Sequence, residues 1–331
     1  MKLSHYIILF LVIFTVPLLY VEFKYSYAKE TTELNHKFEL NMTTAAQDAI
    51  NILRVNAIPH IENGYDSYKI LPTDFQPAYE AFVKTLAKNF GSTDKYTINR
   101  MEHYIPVFAI VDFDGLMLNV YQEKKDAQGN KVTERTWLPK VPFVYRDEEG
   151  NIINFTVDDD LVVYDVQLQE WVEGTRQELL KDSLLTIDFL EDEKEFDTVR
   201  RQTIVDTVQE QIAYYINEHN VYAKQLDVTY TFALPLIDNE EWYNTVDDIS
   251  ILAFFQGYPS KFDSYEYQKY AFVGSRINYT DRIYAGMVGG EHKFWRSSCD
   301  VAATPTEVFS SKKDAAARGY QELSCLNPAV Q

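Results

Sequence analysis

Hydrophobic residues are concentrated at the start of the chain. Tyr6–Val21 is apolar at every position except Thr15, and neither proline nor glycine occurs between Pro17 and Pro59. An apolar segment that continues without a helix breaker into a polar one predicts a long helix with a membrane-embedded first part. The apolar run is slightly shorter than the roughly 20 residues that span a bilayer core, and flanking aromatic rings are expected to extend it. Residues 1–22 are therefore predicted to be a transmembrane anchor.

A cleaved signal peptide is the alternative interpretation of this segment. Lys2 supplies a basic start, and Ser26-Tyr27-Ala28 has the small-x-small pattern of a cleavage site. The residues just before that site, Glu22–Tyr25, contain no helix breaker. Both interpretations export the rest of the chain. The anchor interpretation predicts a single-pass protein of the cell membrane with its body on the extracytoplasmic side.

The polar segment that follows carries an apolar stripe with helical spacing. Because an isolated helix needs packing to persist, this stripe is expected to dock on the body. The predicted helical stalk covers residues 23–60. It is expected to end there because Pro59 disfavours helical backbone at the residue before it, Ile58. Its predicted packing residues are Leu34, Phe38, Met42, Ala49 and Leu53.

The body alternates between helical and strand-like periods. Apolar spacing over Phe75–Phe90 and Phe196–His219 predicts two amphipathic helices. Between them, short runs with period two and turn signals predict an antiparallel meander over residues 104–171. Further strands are expected at Val228–Leu236 and Ile249–Phe255. Because helices and strands fall in blocks, the predicted fold class is α+β, with an extracytoplasmic body over residues 61–290.

Composition narrows the possible partners. The chain has 331 residues, of which 46% are hydrophobic, so it can form a substantial core. Its 50 acidic and 31 basic side chains give a formal charge of -19, which argues against nucleic acid and against docking on anionic lipid. The predicted partners are membrane lipid, through the N-terminal helix, and other proteins in an envelope assembly.

Tyrosine is abundant, with 24 residues, and several of them cluster in one turn-rich stretch. Tyrosine gives rigid amphipathic contact area, so the cluster is a possible interaction surface. Tyrosine also fills half-buried strand positions, and plain packing is the alternative. The predicted surface comprises Tyr258, Tyr265, Tyr267, Tyr270 and Tyr279.

Residue patterns that would indicate catalysis are weak. Acidic clusters occur at Asp158–Asp160, Glu191–Glu195 and Asp247–Asp248, and solvated turns are their simplest interpretation. Asp112-x-Asp114-Gly115 lacks the remaining ligands of a calcium loop and predicts a hairpin turn. None of the six histidines has metal-ligand spacing, and His219 is interpreted as a cation that complements a helix dipole. No catalytic residue, cofactor or metal ligand is predicted.

The two cysteines, Cys299 and Cys325, both lie near the C-terminus. In an exported protein, a lone pair of cysteines is most simply a disulfide.

The residues around these cysteines resemble the small zinc-binding module of bacterial alkylation-repair methyltransferases. The resemblance rests on Cys299, Ser311, Asp314, Gly319, Tyr320 and Cys325. Trp295 stands where that family has a histidine, and a single cysteine replaces its final pair. The resemblance implies a small module over residues 291–331, in which a disulfide has replaced the metal.

The whole chain has a second resemblance. Its apolar helix running into a stalk, with Thr43-Thr44-Ala45-Ala46-Gln47-Asp48-Ala49 along it, is similar to pseudopilin-like exported proteins of tight-adherence-type pilus systems in Gram-positive bacteria. This implies a non-catalytic, membrane-anchored extracytoplasmic component of a pilus-like or secretion apparatus.

Two other functions stay open. An exported cell-wall or carbohydrate-binding protein would have an exposed aromatic groove. A hydrolase using acidic residues would have two carboxylates that converge in a cleft, at least one of them with a shifted pKa.

Overall fold

The computed structural model describes residues 3–55, 69–70, 74–181, 187–224, 239–256, 270–276, 283–296, 301, 303–309 and 312–323. Its helices are α1 (Leu3–Val55), α2 (Gln76–Asn89), α3 (Lys95–Glu102), α4 (Arg176–Leu179), α5 (Glu193–Lys224), α6 (Asn239–Val246) and α7 (Lys312–Ala317). Its strands are β1 (Val107–Asp112), β2 (Gly115–Lys125), β3 (Lys131–Trp137), β4 (Phe143–Arg146), β5 (Ile152–Phe155), β6 (Asp160–Asp165), β7 (Glu170–Thr175), β8 (Ser250–Gln256), β9 (Tyr270–Arg276), β10 (Ile283–Val288), β11 (Glu291–Arg296), β12 (Glu307–Phe309) and β13 (Gln321–Glu322). The α+β fold class is confirmed.

The described strands form three sheets. The first sheet has the order β3-β2-β1-β8-β9, and the second has the order β4-β5-β6-β7. Every strand pair in these two sheets is antiparallel. The third sheet, β12-β10-β11-β13, has a parallel pair between β11 and β13. It also includes β10, which precedes the predicted start of the C-terminal module at residue 291.

The expectation of one meander over residues 104–171 is wrong, because two sheets share this segment. Leu138 and Val141 still donate backbone hydrogen bonds to β2. Pro139 and Pro142, however, lack the N–H group that a continued ladder needs. The chain therefore leaves the first sheet here and starts the second.

The central strands of the first sheet, β1 and β8, are buried on both faces. Successive residues of β1 point to opposite sides, so Phe108 and Ile110 pack with α1 and α2. Val107, Ala109 and Val111 pack with α5 and the second sheet. The body thus has α1 and α2 on one side, the first sheet in the middle, and α5 with the second sheet on the other side.

The two predicted body helices are confirmed as α2 and α5. The start of α5 is fixed by Asp192, whose Oδ1 accepts hydrogen bonds from the backbone N–H groups of Lys194 (2.8 Å) and Glu195 (3.4 Å). The acidic cluster Glu191–Glu195 therefore surrounds a helix N-terminus, where negative charge is favourable. The predicted strand at Val228–Leu236 lies outside the described residues.

The predicted anchor and stalk form one continuous helix of 53 residues, α1, with Pro17 inside it. Among the described residues, no helix combines the length and the apolar character needed to cross a membrane. The prediction of a transmembrane anchor over residues 1–22, and with it a single-pass protein of the cell membrane, is therefore wrong. The apolar run Tyr6–Val21 has 16 residues, fewer than the roughly 20 that span a bilayer core, and the charged residues Glu22 and Lys24 follow it.

The predicted disulfide falls outside the described part of the structure, because Cys299 and Cys325 both lie outside the described residues. No disulfide is present among the residues that are described. The described part of the C-terminal region instead has a small hydrophobic core, formed by Ile283, Ala285, Phe294 and Ala315. After α7, Gly319 adopts a φ of 87°, the left-handed conformation that commonly ends a helix.

Candidate interaction surfaces

The C-terminal part of α1 is docked on the body. Phe38, Met42, Ala49 and Leu53 are each at most 8% exposed, and they share a core with α2 and the first sheet. The side chain of Leu34, the fifth predicted packing residue, lies outside the described residues. Phe38 places its ring 4.9 Å from that of Phe90 and 5.9 Å from that of Phe255.

Small side chains allow α1 to approach α2 closely. Ala45, Ala46 and Ala49 are completely buried between the helices. Two polar contacts fix their relative position: the Thr85 hydroxyl donates to Asp48 Oδ2 (2.8 Å), and Asn89 Nδ2 donates to the backbone oxygen of Asn41 (3.2 Å). This docked part therefore holds the rest of α1 in a defined direction.

The N-terminal part of α1 is exposed. None of the side chains described between Phe10 and Lys37 is buried. We call residues 13–25 the apolar helix segment. Its large hydrophobic side chains are 56–73% exposed: Ile13, Phe14, Val16, Leu18, Leu19, Tyr20, Val21, Phe23 and Tyr25.

The apolar helix segment is hydrophobic on all sides. Four consecutive apolar residues, 18–21, are each more than 60% exposed, and at 100° per residue they cover the whole circumference. A helix that is hydrophobic all round is normally buried by other apolar groups. Its charged residues, Glu22 and Lys24, leave it without net charge. The segment is therefore a candidate contact surface.

The predicted tyrosine surface falls almost entirely outside the described residues. Tyr258, Tyr265, Tyr267 and Tyr279 all lie outside them. Tyr270 is the first residue of β9 and pairs with Gln256 of β8, but its side chain is not described.

An aromatic patch that sequence analysis does not single out lies on the second sheet. Residues such as Ile153, Phe155 and Val163 pack against α5, so their neighbours in sequence face outward. We call these outward apolar positions the outer sheet face; they are Val144, Ile152, Val162, Tyr164 and Trp171. Trp171 is 57% exposed, and its ring lies 5.2 Å from that of Tyr164.

Two of the acidic clusters meet around Lys69. The Lys69 ammonium group donates to the backbone oxygens of Val157 (3.0 Å) and Asp247 (2.9 Å). It also lies 3.5 Å from a carboxylate oxygen of Asp158 and 3.9 Å from one of Asp248. The interpretation of these two clusters as solvated turns is therefore wrong, because the fold brings them together around a cation.

Arginine side chains neutralise the other side of this cluster. Arg201 makes a two-point contact with Asp247, with N–O distances of 2.8 and 3.1 Å. Arg200, which is almost fully buried, donates to Asp197 at 3.1 Å and lies 3.5 Å from Asp247. A carboxylate that is held by a guanidinium group on two oxygens is well suited to fixing α5 beside the loop before β8.

Among the carboxyl groups of this cluster, Asp248 has the pKa that is shifted furthest from its ordinary value. Burial raises its pKa to about 6, although the charges of Lys69 and Arg276 act in the opposite direction. Two convergent carboxyl groups and a raised pKa meet part of the requirement for a hydrolase. The Lys69 ammonium group, however, lies within 4 Å of both the Asp158 and the Asp248 carboxylates.

A second buried polar cluster surrounds Arg135. Its guanidinium group donates to the backbone oxygens of Ile105 (2.7 Å) and Asn119 (3.0 Å) and lies over the rings of Tyr79 and Tyr121. Burial and this nearby cation lower the pKa of His219 to about 4. The interpretation of His219 as a helix-capping cation is therefore wrong, because the imidazole is neutral at pH 7.

The Asp112-x-Asp114 pattern forms the predicted hairpin turn between β1 and β2. Lys140 pairs with both Asp112 and Asp114. Within the described ranges, no group of three or more histidine, cysteine, aspartate or glutamate side chains is placed to hold a metal ion.

Comparisons of the chain with protein-family models, with curated proteins and with solved structures give no match.

Proposed function

We propose that the protein is a non-catalytic component of a multi-subunit assembly of the pilus-like or secretion type, in which the apolar helix segment binds other subunits. One observation carries this proposal: the apolar helix segment is exposed on all sides, whereas the C-terminal part of α1, from Phe38 onward, is docked on the body. Burying a single leucine or phenylalanine side chain contributes about 1.5–3 kcal/mol. Burial of the segment by another subunit would therefore contribute a large favourable free energy of association, which is not realised in the single chain.

The arrangement of charges also supports a role without catalysis. The carboxylates that a hydrolase would need are paired with Lys69, Arg200 and Arg201. These ion pairs connect the second sheet, α5 and the loop before β8, so they stabilise the fold.

A matched pair of variants tests the proposal on the full chain. Leu18→Glu combined with Leu19→Glu places two charges in the apolar helix segment. Leu40→Glu is the control, because Leu40 is 54% exposed on the same helix but lies in its docked part. Each leucine lost from a contact is expected to weaken association by about tenfold to a hundredfold.

Sedimentation velocity over a wide range of concentration provides the measurement. We expect the wild type and Leu40→Glu to associate with the same concentration dependence, and the double variant to stay monomeric. A wild type that is monomeric throughout would contradict the proposal. Vesicle binding that depends on Leu18 and Leu19 without any self-association or partner binding would contradict it as well.

A further inference from the structure

The outer sheet face presents apolar side chains that the apolar helix segment could pack against. Ile152 pairs across the sheet with Tyr164, and Tyr164 pairs with Trp171, so these three side chains form a continuous row over β5, β6 and β7. Val144 and Val162 lie in the adjacent row. Trp171 and Val144, at opposite edges of the sheet, are 57% and 47% exposed.

Charge limits which surfaces of this protein can meet. Two copies that each carry a formal charge of -19 repel one another, so contact is favoured where both surfaces lack net charge. The outer sheet face is bordered by Arg146 on β4 and Glu173 on β7, whose charges cancel. The apolar helix segment is likewise neutral, with Glu22 and Lys24 near its end.

The dimensions of the two surfaces also match. The apolar helix segment is about 20 Å long at 1.5 Å per residue. Four strands spaced about 4.8 Å apart span about 15 Å, so one helix segment can cross the whole sheet.

The helix does not cover the sheet of its own chain. The docked part of α1 lies against α2, β8 and β9, on the side of the first sheet opposite to α5. Because α1 is unbroken from Leu3 to Val55, the apolar helix segment cannot turn back across the body to the second sheet. The exposure of both surfaces within the single chain agrees with this.

We propose that the apolar helix segment of one copy packs across the outer sheet face of a second copy. This inference rests on the proposed function and names the partner as another molecule of the same chain. The contact joins two different surfaces, so each copy donates one helix and accepts another. Such contacts repeat head to tail and form a ring or an open filament.

Mixing two defective variants tests this arrangement. The helix variant carries Leu18→Glu and Leu19→Glu and keeps an intact sheet, whereas the sheet variant carries Trp171→Glu and keeps an intact helix. Each is expected to be monomeric alone. Mixed in equal amounts, they are expected to form a dimer with one copy of each and nothing larger, as measured by size-exclusion chromatography with light scattering.

Two matched controls accompany the mixture. Tyr96→Glu changes an aromatic residue of α3 that is 72% exposed and belongs to neither surface, and Leu40→Glu changes an exposed leucine of α1. Both are expected to assemble like the wild type. Circular dichroism checks that the sheet variant is folded, and Val144→Glu at the opposite edge of the sheet is a second sheet variant that should behave in the same way.

The outcomes separate the two proposals. If the wild type and the sheet variants assemble alike while the helix variant does not, the sheet is not the acceptor and the present inference fails, but the proposed function stands. A mixture that stays monomeric also overturns the inference. If the wild type is monomeric and sediments with purified cell-wall polysaccharide in a Trp171-dependent manner, the sheet binds carbohydrate and both proposals are wrong.

Discussion

Asp248→Asn is the substitution whose effect on stability can be worked out most fully from the structure. The Asp248 side chain is 16% exposed, and burial raises its pKa from 3.8 to about 6 despite the nearby Lys69 and Arg276. In the unfolded chain the carboxyl group ionises at its ordinary pKa. Its contribution to stability is therefore complete below about pH 4 and is lost as the pH rises through about 6.

The size of this effect follows from the shift. A difference of about 2 pKa units corresponds to about 3 kcal/mol once the folded group is ionised. Because Asp248 is partly exposed and shares Lys69 with Asp158, we expect about 1–2 kcal/mol. An asparagine amide does not ionise, so the variant should be more stable than the wild type by this amount near neutral pH.

Urea unfolding of both proteins between about pH 4 and pH 8 measures the difference directly. The free energies of unfolding should diverge between about pH 4 and pH 6 and then run parallel. Asp206→Asn, an exposed change on α5 that removes a carboxylate outside the Lys69 cluster, is the matched control. An Asp248→Asn variant that is less stable than the wild type at neutral pH would contradict this prediction, since the ionised carboxylate would then be favourable in its pairing with Lys69.

Two further predictions concern buried groups. His219 has a pKa lowered to about 4, so its contribution to stability is complete above about pH 6.5 and is lost as the pH falls toward 4. His219→Gln should therefore lose less stability than the wild type over that range in the same urea experiment, and an equal loss in both proteins would contradict this. Phe155 is 1% exposed and lies 5.8 Å from the ring of Phe196, so Phe155→Ala should lower the free energy of unfolding by about 3–5 kcal/mol. The exposed control Val132→Ala should change it by less than about 0.5 kcal/mol, and similar values for both variants would show that the core is assigned incorrectly.

Local patterns predict the helices of this protein well and the sheets poorly. The apolar spacing of α2 and α5 is visible in the sequence because each helix makes its hydrogen bonds within a few residues. The pairing of β1 with β8 joins segments about 140 residues apart in the sequence, so it cannot be predicted from a local pattern of residues. The two prolines between β3 and β4 were visible signals that the meander divides there.

The candidate surfaces were predictable only in part. Hydropathy identifies the apolar helix segment as a surface whose burial would be favourable, but it does not show which partner buries it. The prediction of a membrane anchor was wrong for this reason. The alternation around Tyr164 predicts a half-buried strand. That Tyr164 and Trp171 share the open face follows from the packing of α5, which is a tertiary feature. The meeting of Asp158 and Asp248 at Lys69 is tertiary as well.

Hydroxyl-radical footprinting of the wild type at increasing concentration shows whether the apolar helix segment becomes buried when the protein associates. The aromatic rings of Phe14, Tyr20, Phe23 and Tyr25 report on the apolar helix segment, and Tyr96 and Tyr214 are exposed references elsewhere. We expect the segment's rings to become protected as the protein associates, while both references stay reactive. Equal oxidation of the segment and the references at every concentration would contradict it.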